Sequence, residues 1–227
     1  MEHDFLAFLQ LSPVATLRHR LLRPFHARRA SRLAPLRIYY GCGLTRQPGY
    51  LNVDVRWTPA VDLLADLEWC ARRFAGQCSE IFMSHVIEHY RSPGKGLRRT
   101  PETAIGALVA AARALRPGGI VRIAVPDFEA LARLYTNGTL PLFPRLLGRL
   151  CGAQNYRENV HRCAFDREFL ELCLREAGFE RFETWNPTAL NLAMDASFDE
   201  LNGVRTSLNL LGHKPGDGGS LPAREPH

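Results

Sequence analysis

Two glycines at 41 and 43 constrain this chain more than any other feature. The run Arg37-Ile38-Tyr39-Tyr40 reads as a short buried strand, and Gly41-Cys42-Gly43 comes directly after it. Soon afterwards Tyr50-Leu51-Asn52-Val53 reads as a second strand, ending in the carboxylate of Asp54. Glycine lets a backbone pass close beneath a ligand, where a Cβ would collide with it. An acidic side chain at the tip of the neighbouring parallel strand can accept both hydroxyls of a ribose. Together the two pieces predict a nucleoside-type cofactor. Gly-x-Gly after an apolar run is also common in turns, so the weight rests on the order of the later strands and helices.

The rest of the chain alternates strands with helices. Val61–Leu67 reads as a third strand reaching Asp66, with a short helix from Glu68 to Gly76. Glu80–His85 reads as a fourth strand running into a helix start at Val86–Tyr90, and residues 91–100 read as a loop. Ile105, Leu108, Val109, Ala112 and Leu115 recur at helical spacing, which predicts a helix over Pro101–Leu115 capped by Thr100. Arg116-Pro117-Gly118-Gly119 stops it, and Ile120–Val125 is the clearest strand, leading to Pro126-Asp127 and a helix through Tyr135. A helix over Asp166–Ala177 closes at Gly178, with strands after it at Phe179–Trp185 and Thr206–Gly212.

This order predicts an α/β fold, Rossmann-like and doubly wound, with a mostly parallel sheet. The span between the first two strands is too short for a full crossover helix, so the first crossover is shortened to a turn or two. Residues 138–165 read as an inserted lid segment over the site. The domain spans 35–214, with a basic N-terminal appendage at 1–34 and a disordered, Gly- and Pro-rich tail at 215–227. In such sheets the ligand lies across the carboxyl ends of the strands. That rule lines up Gly41, Gly43, Asp54, Asp66, Ser84, His85 and Asp127.

Charge and cysteine usage narrow the setting. The formal net charge is +6, and only Lys95 and Lys214 among the 29 basic residues are lysines. Arg18, Arg20, Arg23, Arg28, Arg29, Arg32 and Arg37 crowd the first segment against Glu2 and Asp4. A solvated basic face is the simpler reading, and contact of residues 1–34 with a membrane surface is left open. Nucleic acid is not expected, because there is no Asn/Asp-Pro-Pro-Tyr-type base pocket and no aromatic interleaving. The six cysteines form no C-x-x-C pair and sit among apolar neighbours, which points to free thiols in the cytoplasm. No signal peptide is expected: Phe5–Leu11 is short, comes after acids and is broken by Pro13.

Five pieces in this order resemble the class I S-adenosylmethionine-dependent methyltransferases. They are Gly41-Cys42-Gly43, Gly49-Tyr50-Leu51-Asn52-Val53-Asp54, Ala65-Asp66-Leu67, Ser84-His85-Val86-Ile87-Glu88-His89, and Leu115-Arg116-Pro117-Gly118-Gly119 with Pro126-Asp127. More narrowly, the chain is similar to small bacterial methyltransferase-domain proteins linked to surface-glycan synthesis. The resemblance covers about residues 36–214 and implies S-adenosylmethionine as cofactor and a small acceptor, such as a sugar hydroxyl. It implies that Gly41, Cys42 and Gly43 pass under the methionine part of the cofactor and that Asp54 accepts the ribose. Asp66 and Leu67 would then lie near the adenine, with Ser84 and His85 on the methyl-transfer face. Tyr39 stands where the family usually has an acidic or amide residue, and Thr45 where it often has a third glycine.

Methyl transfer to a hydroxyl needs orientation and a base. The candidates are His85, His161 and Asp127. His89 reads as structural, Asp127 doubles as a helix cap, and His161 lies in the lid beside Tyr156 and Arg157. Two other readings stand beside this one. His85-Val86-Ile87-Glu88-His89 matches H-x-x-E-H, a zinc-hydrolase pattern on a helix, although no metal is expected from its context here. The fold can also persist as a binding module without catalysis.

Overall fold

A computed structural model describes Leu17, Leu21, Arg23, residues 35–190 and residues 192–216. The expected appendage at 1–34 and tail at 215–227 therefore lie largely outside the described residues. Seven strands form one sheet: β1 (Leu36–Tyr40), β2 (Leu51–Asp54), β3 (Leu63–Leu64), β4 (Cys78–Ser84), β5 (Leu115–Pro126), β6 (Glu180–Thr184) and, numbered in chain order after a small hairpin, β9 (Ser207–His213). The hairpin is β7 (Glu200–Leu201) with β8 (Val204–Arg205). The sheet order is β3-β2-β1-β4-β5-β9-β6. Six strands run in one direction, and β9 lies antiparallel between β5 and β6. With its flanking helices this is a Rossmann-like α/β fold. Among the described residues no helix is long and apolar enough to cross a membrane.

The period-2 pattern of β1 divides the core. Ile38 and Tyr40 join a large apolar cluster with Met83, Leu108, Ile123 and Leu170. Helices α1 (Leu67–Arg73), α2 (Ala104–Ala114) and α5 (Arg167–Glu176) bury their apolar stripes in that cluster. Tyr39 faces the other way, stacked on Phe82 at 4.7 Å, and Trp185 meets Phe82 edge-on at 5.6 Å. The Trp185 indole N–H donates to the carbonyls of Ile123 and Leu210, at 3.1 and 3.2 Å, pinning β6 to the strands beside it. Each fully buried Phe, Ile or Leu contributes about 1.5–3 kcal/mol to this core.

The connection from β1 to β2 spans residues 41–50 and contains no helix at all. Side chains staple it instead: the Gln47 amide donates to Asn52 Oδ1 at 2.8 Å, and Thr58 Oγ1 donates to the Gly43 carbonyl. Three other boundaries shift from the sequence expectation. The third strand is cut to two residues because Asp66 Oδ1 accepts from the Trp69 amide at 2.7 Å, turning the chain into α1. Helix α2 begins at Ala104, not Pro101, because Thr103 is the cap, accepting from the Gly106 amide at 3.1 Å. Residues 98–103 fold back so tightly that a Cβ on Gly106 would sit 1.9 Å from the Thr100 carbonyl oxygen. The expected helix at Val86–Tyr90 is a single 3-10 turn, Ile87–His89.

The inserted segment continues from α3 (Phe128–Thr136) through a wide turn at Leu142–Leu146 into the short α4 (Leu147–Cys151). Leu131, Leu134, Leu140, Leu146 and Leu201 make a small core of their own there. Arg149 anchors it through a forked pair of bonds to Asp199, at 2.5 and 2.6 Å.

Candidate active site

The carboxyl ends of β1, β2 and β4 surround a cavity of about 460 Å³. That is within the size range of small-ligand sites. Gly41 and Gly43 form one side, both in the left-handed region, at φ +74 and +54. Their roles differ. A Cβ on Gly41 would lie 2.3 Å from Val86 Cγ2, so that glycine is required by the protein's own packing. A Cβ on Gly43 would meet nothing within 4 Å, so that glycine leaves a cradle open toward the cavity.

Asp54 stands at the tip of β2, 6 % exposed, and its two oxygens are divided between two backbone donors. Oδ2 accepts from the Gly43 amide at 2.9 Å, and Oδ1 accepts from the Arg56 amide at 2.8 Å. Burial pushes the carboxyl up from its ordinary value, against the pull of those amides. Each carboxylate oxygen has a second lone pair, so acceptor capacity remains on the cavity side. Asp54 also fixes the glycine loop through Gly43, which couples the two halves of the motif.

The segment expected to form a lid borders this cavity. Tyr156, Arg157, Glu158 and Arg162 line it, and the Arg56 guanidinium lies 3.7 Å from the centre of the Tyr156 ring. Aromatic stacking of this kind ties the lid to the end of β2. On the other wall stand Tyr40, Tyr90 and Glu102.

His85 lines the cavity at the end of β4 and is held at φ +52, a conformation unusual for a side-chain-bearing residue. Its Nε2 lies 3.1 Å from Ser207 Oγ, which itself donates to Asn209 Oδ1 at 2.9 Å. The single hydroxyl proton of Ser207 is thus committed, so His85 Nε2 must be the donor. That leaves Nδ1 as the proton-accepting atom, 3.5 Å from Glu88 Oε1. Burial pushes His85 down to about 3 and Glu88 up to about 8.

The other residues named from sequence lie elsewhere. Asp127 caps α3, accepting from the Ala130 amide at 3.2 Å, and is not among the cavity-lining residues. His161 does not line the main cavity either; its Nδ1 lies 2.9 Å from the Arg149 carbonyl and its Nε2 3.9 Å from Glu88 Oε1. Ser84 is buried beneath the site with its hydroxyl unpartnered. The Cys42 thiol is buried in the cluster of Tyr39, Tyr50 and Phe82, where burial pushes its pKa up. Asp66 and Leu67 line an adjoining cavity of about 330 Å³ that shares Tyr90 and Glu102 with the first.

The zinc-hydrolase geometry needs two histidines four apart on one helix face. Here a single turn separates them, His85 is outside it, and its ring nitrogens face Ser207 and Glu88. Sequence reasoning did not assign Tyr40, Arg56, Tyr90, Glu102 or Arg162 to the site. Only the polar lid stretch carried a signal, through Tyr156 and Arg157.

No family model matches the chain, and no curated protein matches it. Among solved structures it is similar to an S-adenosylmethionine-dependent methyltransferase from Archaeoglobus fulgidus, 12 % identical over 87 % of this chain and 93 % of that one, with a TM-score of 0.45. It is likewise similar to one from Thermotoga maritima, 18 % identical over 94 % of this chain and 100 % of that one, at a TM-score of 0.41. Human N-acetylserotonin methyltransferase in complex with S-adenosylmethionine is 12 % identical over 88 % of this chain, which spans 55 % of its length, at a TM-score of 0.43. Likeness at this level says nothing about the reaction.

Proposed function

We propose that the chain transfers the methyl group of S-adenosylmethionine to a hydroxyl of a small acceptor, with a glycan sugar as the acceptor class. The observation that carries this reading is Asp54, a buried carboxylate at the tip of β2 that holds Gly43 and keeps lone pairs toward the cavity. The open space at Gly43, on the cavity lining, supports it as well, because it leaves room for a ligand to pass close to the backbone. When bound, the cofactor supplies a sulfonium-activated methyl group.

The chain's own residues do the rest. Asp54 accepts the two ribose hydroxyls and, through Gly43, sets the loop beneath the methionine end. Asp66 and Leu67, reached past Tyr90, take the adenine side. His85 lines the cavity at the transfer face, its ring fixed by the Nε2–H bond to Ser207 and kept neutral by burial, and positions the acceptor there. Tyr156, Arg157 and Arg162 close over the acceptor and exclude water. Six free cysteines, five of them buried, support a cytoplasmic setting.

Calorimetric titration of the full chain with S-adenosylmethionine and S-adenosylhomocysteine, beside Asp54→Ala, tests the reading. Hydrogen bonds to a charged group contribute about 1.5–3 kcal/mol each, so losing two lowers affinity by roughly a hundredfold or more. Circular dichroism controls for the two amides that the variant leaves unpaired. A folded wild-type sample that binds neither compound overturns the proposal and leaves a binding module without the cofactor.

A further inference from the structure

Beside the cavity, three side chains that the proposed methyl transfer does not use come together. Glu88, His89 and His161 each offer one ligand atom, and those atoms all lie within 4.8 Å of one another. Glu88 is 1 % exposed, and neither of its carboxylate oxygens has a hydrogen-bond partner among the described residues. A buried carboxylate without a donor is costly unless it is protonated or coordinates a cation. His85 Nδ1, at 3.5 Å, is too far to satisfy it.

The imidazoles are prepared in the same sense. His161 Nδ1 lies 2.9 Å from the Arg149 carbonyl, and His89 Nδ1 lies 3.2 Å from the Val160 carbonyl. A carbonyl only accepts, so Nδ1 carries the proton in each ring. In a neutral ring with Nδ1 protonated, the lone pair is on Nε2. An imidazole fixed by a carbonyl on one nitrogen and free on the other is the usual state of a metal-bound histidine. The two rings pack edge to face at 4.8 Å, and His161 Nε2 is 3.9 Å from Glu88 Oε1.

We propose that Glu88, His89 and His161 bind one divalent first-row transition-metal ion, with His89 setting that ion in the wall of the cavity. Two imidazoles and one carboxylate suit Zn²⁺, Co²⁺ or Fe²⁺, whereas Mg²⁺ and Ca²⁺ prefer oxygen ligands throughout. Ligands at about 2.1 Å from a tetrahedral ion stand roughly 3.4 Å apart, so the widest pair closes by roughly 1.4 Å. This set differs from the H-x-x-E-H reading, since His85 is not in it and His161 comes from the lid. The ion would therefore tie the lid to the turn after β4. Three protein ligands leave a position for water or an acceptor oxygen; the last use rests on the proposed methyl transfer, but the site itself does not.

The test uses the full chain, stripped with a chelator, re-equilibrated with Zn²⁺ and freed of excess. Elemental analysis is expected to find one zinc per chain, and Co²⁺ in its place is expected to give visible d–d bands without thiolate charge transfer. Glu88→Gln and His161→Ala each weaken binding by at least about a hundredfold, since even second-sphere losses cost 10–100-fold. His213→Ala, whose ring meets Glu183 on a different part of the sheet, leaves binding unchanged. If His161→Ala does not fold, the near-isosteric Glu88→Gln decides the matter: Zn²⁺ raises the melting temperature of wild type and not of this variant. Substoichiometric metal, binding that survives Glu88→Gln, or a thiolate band overturns the proposal. Titrating the metal-free chain with S-adenosylhomocysteine separates a failure here from a failure of the methyltransferase reading.

Discussion

Replacing Gly41 by alanine adds one methyl group, and its surroundings define the cost. The new Cβ would lie 2.3 Å from Val86 Cγ2, 3.4 Å from Cγ1 and 3.5 Å from Cβ. Overpacking of this kind costs about 1–3 kcal/mol. The backbone there has φ +74, which costs an L-residue roughly 1–2 kcal/mol. Reduced freedom of the unfolded chain returns about 0.4–1 kcal/mol. Gly41→Ala should therefore destabilise the protein by roughly 2–4 kcal/mol. Val86→Ala alone, at a buried position, opens a cavity and costs about 1–3 kcal/mol. In the double variant the clash disappears and the added methyl fills part of that space. The two changes should be less costly together than their sum, with a coupling of about 1–3 kcal/mol. Urea unfolding of the four proteins, monitored by circular dichroism, measures this directly. Additivity within about 0.5 kcal/mol would refute the contact and leave only the backbone requirement.

Gly43→Ala is the contrasting case: nothing stands within 4 Å of its new methyl group, so stability should fall only by the roughly 1–2 kcal/mol of left-handed strain. Its effect should appear instead in calorimetry as at least a tenfold loss of S-adenosylhomocysteine affinity, about 1.4 kcal/mol, and unchanged binding would refute the cradle. Glu80 accepts from Tyr50 at 2.9 Å and Arg122 at 2.8 Å and also meets Arg37, so Glu80→Ala strands the buried Arg122 cation. Urea unfolding should show a loss of about 3–5 kcal/mol, and a loss below about 1 kcal/mol would mean that the network relaxes freely. Burial opposes ionisation of Asp199, but the bonds from Arg149 and Thr206 outweigh it and hold the carboxyl below its ordinary value. A depressed folded pKa gives stability that is in place above the unfolded value, about 3.9, and is lost as pH falls through the folded one. The stability difference between wild type and Asp199→Asn should therefore shrink below about pH 4, and a pH-independent difference would refute the pairing.

Much of the fold was legible because it depends on local periodicity. Leu36–Tyr40, Leu51–Asp54 and Ile120–Val125 announce strands by apolar runs, and the glycines and Asp54 announce the cofactor edge by residue type and order. What was not legible depends on choices that neighbouring residues share. Thr100 and Thr103 are both good caps, and only the fold-back of residues 98–103 over Gly106 selects the second. Asp66 and Asp127 end strand-like runs as Asp54 does, yet their carboxylates turn to helix amides while that of Asp54 turns to a glycine loop. Sequence cannot separate a cap from a ligand when a few backbone angles decide. The meeting of Glu88 with His161, far apart in the chain, and the stacking of Arg56 on Tyr156 are products of lid packing with no local signature.

The position of β9 has a consequence for how the chain is made. Residues 207–213 pair with β5 on one side and β6 on the other, so β6 joins the sheet only through a strand that is synthesised later. Synthesis runs from the N-terminus at about 5–20 residues per second. The last residue of β5 is 126, so the ribosome needs roughly 4–16 s more to reach its partner at 207. During that interval β5, with Val121, Ile123 and Val125, leaves its second edge open, ready to pair with any other chain nearby. Yield in the cell should then depend on elongation rate and on chaperones that shield open strands, even for variants whose finished fold is fully stable.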